Sequence, residues 1–168
     1  MTSTLHELTV PVFIRALGNL SAFLKKGSDH ADAHGIAHSE YLEARLAPDM
    51  APLVAQIQRA SDAAKGMMVR LGGVPNEAFA DEEVSFADLQ ARIARTIAFL
   101  EAAPADALAG KEDATVVLET PGRSFTFTGL GYVQNFALPN FFFHVTTAYA
   151  LLRHKGVPVG KMDFLGGI

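Results

Sequence analysis

From residue 3 to residue 26 apolar side chains return every three or four positions: Leu5, Leu8, Val12, Phe13, Ala16, Leu17, Leu20, Phe23 and Leu24. That period lays them along one side of an α-helix, and such a stripe is stable only when another element covers it. A second stripe carries Met50, Leu53, Val54, Ile57, Ser61, Ala64, Met68 and Leu71. A third carries Phe86, Leu89, Ile93, Ile97 and Leu100, and a fourth helical stretch runs over residues 131–155. Long amphipathic helices of this kind solve their burial problem by packing on one another, so the expected fold is mainly α, an up-and-down four-helix bundle.

Turn and cap residues divide the stripes. Pro11 kinks the first helix or marks its start, and Gly27 reads as its stop. Residues 27–38 read as a mobile polar loop. A short helix over 39–46, capped by Ser39, ends at Pro48, and Asp49 caps the second stripe, which Gly72-Gly73 terminates. Residues 74–84 form an acidic loop. Ser85, with Asp88 three residues on, opens the third helix in a variant of the capping box, and Pro104 closes it. The period then changes. Residues 115–119 and 124–128 are rich in β-branched and aromatic types around Thr120-Pro121-Gly122-Arg123, the signature of a short β-hairpin inserted between the third and fourth helices. A lone hairpin is marginal in water, so this one must pack on the bundle. Pro139 suits the first position of a helical segment, so the fourth helix is expected to break there. Gly156 and Pro158 end it, and residues 161–168 show no clear period.

Composition narrows the functional classes. The chain has 168 residues, which suits one domain over 1–168, and 49% of them are apolar. The formal net charge is −4 and no basic run exceeds Lys25-Lys26, which argues against a nucleic-acid partner. There is no cysteine, hence no disulfide framework or thiol nucleophile. The first residues lack the basic and apolar regions of a signal peptide, and no uninterrupted apolar run reaches the ~18 residues of a membrane span. A cytoplasmic location and no membrane partner are the expectation. Charged residues are 19% of the chain, below the ~25% of typical soluble domains, so part of the surface is expected to be covered. The fourth helix shows where. Its core stripe holds Val133, Ala137, Asn140, His144, Ala148 and Leu151, yet its far side still presents Phe142, Phe143, Thr146, Tyr149 and Ala150. A helix apolar on every side is buried on every side. A homodimer is expected there, with the hairpin (Phe125, Phe127) and the tail (Phe164, Leu165) as rival covers.

The fourth helix also carries a recognisable pattern: Leu138-Pro139-Asn140-Phe141-Phe142-Phe143-His144, then Tyr149, then Gly156-Val157-Pro158. Together with Arg45-Leu46-Ala47-Pro48-Asp49-Met50, Gln58-Arg59-Ala60-Ser61-Asp62 and Gly160-Lys161-Met162-Asp163-Phe164-Leu165-Gly166, it resembles a family of about this length, a domain of unknown function grouped with the DinB/YfiT-like helical bundles. The resemblance covers nearly the whole chain and implies the DinB-like bundle. In the wider group three histidines bind a divalent metal, one on the second helix and two at i and i+4 on the fourth, and members include thiol-dependent transferases acting on small electrophiles. Carried onto this chain, His144 matches the later fourth-helix histidine, since it stands twelve residues before Gly156 (156 − 144). The earlier one falls on Asn140. The second-helix position falls on Gln56, with Gln58 as the neighbouring choice. One imidazole of three remains, and amide oxygen is a poor donor to zinc or nickel. The resemblance thus implies a degenerate metal site, no resident cofactor, and at most weak divalent-metal binding.

Each candidate also has a plain structural reading. Asn140 and His144 on a core stripe need hydrogen-bond partners, because an unpaired buried polar group costs roughly 1–3 kcal/mol. Gln58, Asp62 and Lys65 sit beside the second stripe, as a salt-bridged helix flank would. His30, His34 and His38 have the spacing of a two-histidine metal site, but Gly27 and Gly35 bracket them and point to a loop with adventitious nickel or zinc affinity at most. Arg45 and Asp49 suit a helix connection, and Gly129-Leu130-Gly131 is too short for a nucleotide motif. The reading adopted is a small-ligand- or partner-binding bundle with pocket candidates His144, Asn140, Gln56, Gln58 and Asp62. Its alternative is a metal-assisted transferase or hydrolase that uses His144 as ligand or general base. A pure interaction protein without a pocket is the third class.

Overall fold

The computed structural model describes residues 4–167. Helix α1 spans Leu5–His34, α2 Ser39–Leu42, α3 Leu53–Arg70 and α4 Phe86–Ala102. A hairpin of β1 (Thr115–Thr120) and β2 (Arg123–Thr128) follows, then α5 (Gly129–Tyr132), a π-helical segment (Val133–Ala137), α6 (Leu138–His154) and α7 (Lys161–Leu165). The long helices form a four-helix bundle in which α1 packs on α4 and α6, and α3 packs on the same two. Helices α1 and α3 therefore face each other across a diagonal, and the segment with α2 crosses from one to the other. One continuous core, with Phe13, Leu17, Leu20, Phe23, Ile57, Met67, Met68, Leu89, Ile93, Phe141, Val145 and Leu151 buried, fills the space between them.

Helix α1 starts where a capping box closes it: Thr4 Oγ1 accepts from the Glu7 amide at 3.2 Å, and Glu7 accepts from the Thr4 amide at 2.8 Å. It does not stop at Gly27. That residue is buried inside the helix because α6 comes so close that a Cβ there would lie 2.9 Å from Leu152 Cδ2. The stop is Gly35, whose φ of 62° is the left-handed conformation of a C-cap. His30 and His34 thus lie on the last turns of a helix, not in a mobile loop. By length and composition α1 is long and apolar enough to cross a membrane. Its apolar stripe lies in the bundle core.

Three further boundaries differ from expectation. Helix α2 ends at Leu42, with His38 rather than Ser39 before its first turn. Helix α3 begins at Leu53 after Pro52, not at Asp49. Proline disfavours the helical region for the residue before it, so Ala51 cannot join the helix, and the Met50 carbonyl accepts from Arg45 instead. The fourth helical stretch starts at Gly129 and runs through Pro139 without a break. In an α-helix the Pro139 ring would meet the carbonyl one turn back. The wider π-turn, closed by the Leu138 amide on the Val133 carbonyl, absorbs the misfit.

The hairpin pairs Val116 with Phe127 and Leu118 with Phe125, and turns at Gly122 with φ 79°. Val116 and Leu118 are buried, and Phe127 packs on Tyr132 at 5.9 Å. The tail expected to be aperiodic forms α7. Lys26 and Asp163 pair at 2.6 Å, Asn19 donates to the Phe164 carbonyl at 3.1 Å, and Phe164 meets Tyr149 at 5.9 Å. This tail, with Phe23 at 6.1 Å, covers Tyr149 from within the chain. What stays open on α6 lies further round: Phe143 is 56% exposed and borders an apolar groove of about 460 Å³ with Leu46, Phe142, Thr146, Thr147 and Ala150.

Candidate functional site

Pro52 sets the first turn of α3, and that turn points Gln56 at α6. The Gln56 amide nitrogen donates to the Ala51 carbonyl at 2.9 Å. A carbonyl only accepts, so the other end of this amide, Oε1, must itself be an acceptor. It stands 2.8 Å from His144 Nδ1, and Nδ1 therefore carries the proton. The bare nitrogen is Nε2, which has no hydrogen-bond partner among the described residues. Gln56 thus fixes one tautomer of a neutral imidazole.

The ring is 7% exposed. Burial, and secondarily the nearby Arg59 guanidinium, push the His144 pKa down from 6.5 to about 4. At neutral pH such an imidazole is uncharged and a weak proton acceptor, poorly matched to general-base work. Asn140, one turn earlier on α6, is half-buried and makes no side-chain hydrogen bond among the described residues. It does not join the pair.

Gln58 and Asp62 belong to a different place. They line the groove between α3 and α4 under residues 74–84. Gln58 donates to Glu83 at 2.7 Å, and Asp62 accepts from Arg92 at 3.0 Å. Arg92 organises this groove: its side chain is 2% exposed and also donates to Asp81 at 2.8 Å and Glu83 at 2.9 Å. Burial works to raise the Glu83 carboxyl, but the bonds from Arg92 and Gln58 outweigh it and hold the pKa below its usual value. Lys65 is buried as well, its pKa lowered by that burial, and donates to the Glu77 carbonyl. The five pocket candidates are therefore not one pocket. Sequence reasoning passed over Arg92, although an arginine at the edge of the third stripe, a few residues after Asp81-Glu82-Glu83, was the available signal.

The histidines around the turn from α1 to α2 are spent locally. His30 Nδ1 meets the Tyr41 hydroxyl at 2.9 Å, His34 Nδ1 donates to the His30 carbonyl at 2.8 Å, and His38 Nε2 meets Asp32 at 2.9 Å. The His30 and His34 rings stack at 4.1 Å, so their lone pairs run side by side and do not converge on one ion. Among the described residues no group of three or more His, Asp or Glu side chains is arranged to hold a metal.

A family profile described as a domain of unknown function, DUF1993, matches residues 5–165. The chain belongs to this family. A solved DinB family member protein from Shewanella denitrificans has the same fold, with a TM-score of 0.86, 37% identity, and coverage of 98% of this chain and 93% of that one. No curated protein matches. The DinB-like fold is therefore that of this DUF1993 chain, and the metal centre that the DinB resemblance implies can be judged on its own side chains. They do not fit it. Gln56 has both ends of its amide engaged, one of them in orienting His144, and Asn140 offers only an amide. A histidine ligand needs just such an orienting partner, so Gln56 stands where a supporting residue would, and the donor set is one imidazole.

Proposed function

We propose that this protein is a non-catalytic binding member of the DinB-like group that pairs with a second copy of itself through the outer face of α6. The observation that carries the first half is the Gln56 amide, donating to Ala51 at 2.9 Å and accepting from His144 at 2.8 Å. A residue committed at both ends is not free to ligate, and what it orients is a single neutral imidazole of low basicity. The second half is supported by Phe143, the most exposed of the large aromatic side chains, beside an apolar groove of about 460 Å³. Two-fold pairing would set the Phe143 of each copy toward the groove of the other, the self-complementary arrangement typical of dimers. A cytoplasmic location is part of the proposal, in keeping with a chain that has no cysteine to oxidise.

Sedimentation of the full chain tests this reading. At tens of micromolar, an order of magnitude set by ordinary dimer affinities, the wild type should sediment as a dimer that survives chelator. Phe143→Glu should sediment as a folded monomer. A wild-type monomer at that concentration, or a dimer that dissolves on metal removal, would overturn it.

A further inference from the structure

We propose that residues 74–84 are an autoinhibitory strap, occupying a cationic groove on α3 and α4 whose external ligand is an acidic peptide segment carrying an aromatic residue. The strap has no helix or strand of its own. Val74 packs on the core at its start, and from residue 77 on what holds it is chiefly the cationic side chains of α3 and α4. Arg95 binds Glu77 through Nε at 2.8 Å, Arg92 binds Asp81 and Glu83, and Lys65 reaches the Glu77 carbonyl. Phe79 is the strap's one aromatic side chain, and it sits between two cations: Lys65 Nζ and the Arg95 guanidinium carbon each lie 4.0 Å from its ring centre.

This is an unusual way to cover a helical groove. Arg92 and Lys65 are buried beneath the strap, although burying cations is costly and apolar side chains would do the same work at less cost. The covering is also incomplete. Clefts of about 380 Å³ and 350 Å³ open on the two sides of Phe79. Arg92 Nε is buried with no hydrogen-bond partner, so the strap leaves one of the guanidinium's donors unused. With the strap lifted, Lys65, Arg92 and Arg95 would face only the helix-borne Asp62 and the capping Asp88. The groove is then a basic surface with room for a ring between two cations. The strap itself, Glu77-Ala78-Phe79-Ala80-Asp81-Glu82-Glu83, shows which chemistry fits. From residue 77 on the strap is tied down chiefly by ion pairs, and such a segment opens locally and more easily as salt screens it. None of this depends on the pairing of α6.

The test uses a fluorescein-labelled peptide with the sequence of residues 74–84 and follows its anisotropy on titration with the full chain at low salt. The receiving proteins are the wild type and a strap variant, Glu77→Gln with Asp81→Asn and Glu83→Gln. A closed strap lowers apparent affinity by the fraction of molecules that are open. The variant should therefore bind the peptide on the order of tenfold more tightly than the wild type. Added salt, or Arg95→Glu in the variant background, should abolish that binding, and a peptide with the same acids amidated should not bind. Equal affinity for both proteins, no binding to the folded variant, or equal binding of the amidated peptide would overturn the proposal. Should the triple variant fail to fold, Phe79→Ala loosens the strap at one anchor and must show the same inequality over the wild type; equal affinity there would be as damaging.

Discussion

Gln56 on α3 holds His144 on α6 across the bundle at 2.8 Å, and its other end is tied to the backbone carbonyl of Ala51. The pair stands where the DinB resemblance places two of three metal-binding imidazoles. The bond joins helices distant in sequence, leaves neither ring nor amide charged, and replaces coordination by orientation.

The first prediction concerns stability. Gln56→Leu removes the acceptor of His144 Nδ1–H and the donor to Ala51, and should destabilise the fold by roughly 1–3 kcal/mol. Asn140→Leu should shift the urea midpoint little, because Asn140 is half-buried and has no bond to lose. A cost at Asn140 equal to that at Gln56 would mean that the two amides share a network.

Acid should weaken the protein through His144. The folded imidazole titrates at about 4 and the unfolded one near 6.5, so between those values the unfolded chain binds the extra proton. Stability from this group is therefore full above pH 6.5 and declines as pH falls toward 4. At 1.36 kcal/mol per unit the loss approaches about 3 kcal/mol. His144→Gln should flatten that part of the stability profile. An unchanged slope between pH 6.5 and 4 would show that the ring is not held neutral.

On α6 the two aromatic faces should behave differently. Phe143→Glu should abolish the proposed self-pairing and leave the fold intact. Tyr149→Glu should unfold or soften the monomer, since Phe23 at 6.1 Å and Phe164 at 5.9 Å enclose that ring. Thermal melts beside light scattering separate the outcomes, and a Tyr149→Glu protein that melts like the wild type would contradict the packing.

The bundle and its hairpin were readable because their signals are periodic: three- and four-residue spacing for the helices, β-branched runs around Pro121-Gly122 for the hairpin. What was not readable turns on contacts rather than period. Gly27 has the appearance of a stop in one dimension, but it is a place where α6 comes too close for a side chain. Helix α7 is too short to show a period and depends on Asn19, Lys26 and Tyr149 to hold it. Spacing also says which side of a helix a residue faces, not how deeply its neighbours bury it. It could therefore nominate both Asn140 and His144, although only His144 is buried and bonded. Gln58 and Asp62 were drawn to the same site by nearness in sequence, whereas the acidic strap and Arg92 claim them.

Restoring the missing imidazoles should restore ligation. Gln56→His with Asn140→His gives the three-histidine set that the resemblance implies, and should bind zinc or nickel close to one per chain with a raised melting temperature. Failure to take up metal would mean that the backbone at this site no longer converges on an ion.

The most direct measurement is a calorimetric titration of untagged wild-type protein with zinc at neutral pH, beside His144→Ala. The account predicts no saturable site tighter than about 1 μM, and the same trace for both proteins. A one-to-one site well below that concentration, lost in His144→Ala, would show that Gln56, Asn140 and His144 still form a metal centre and would contradict it.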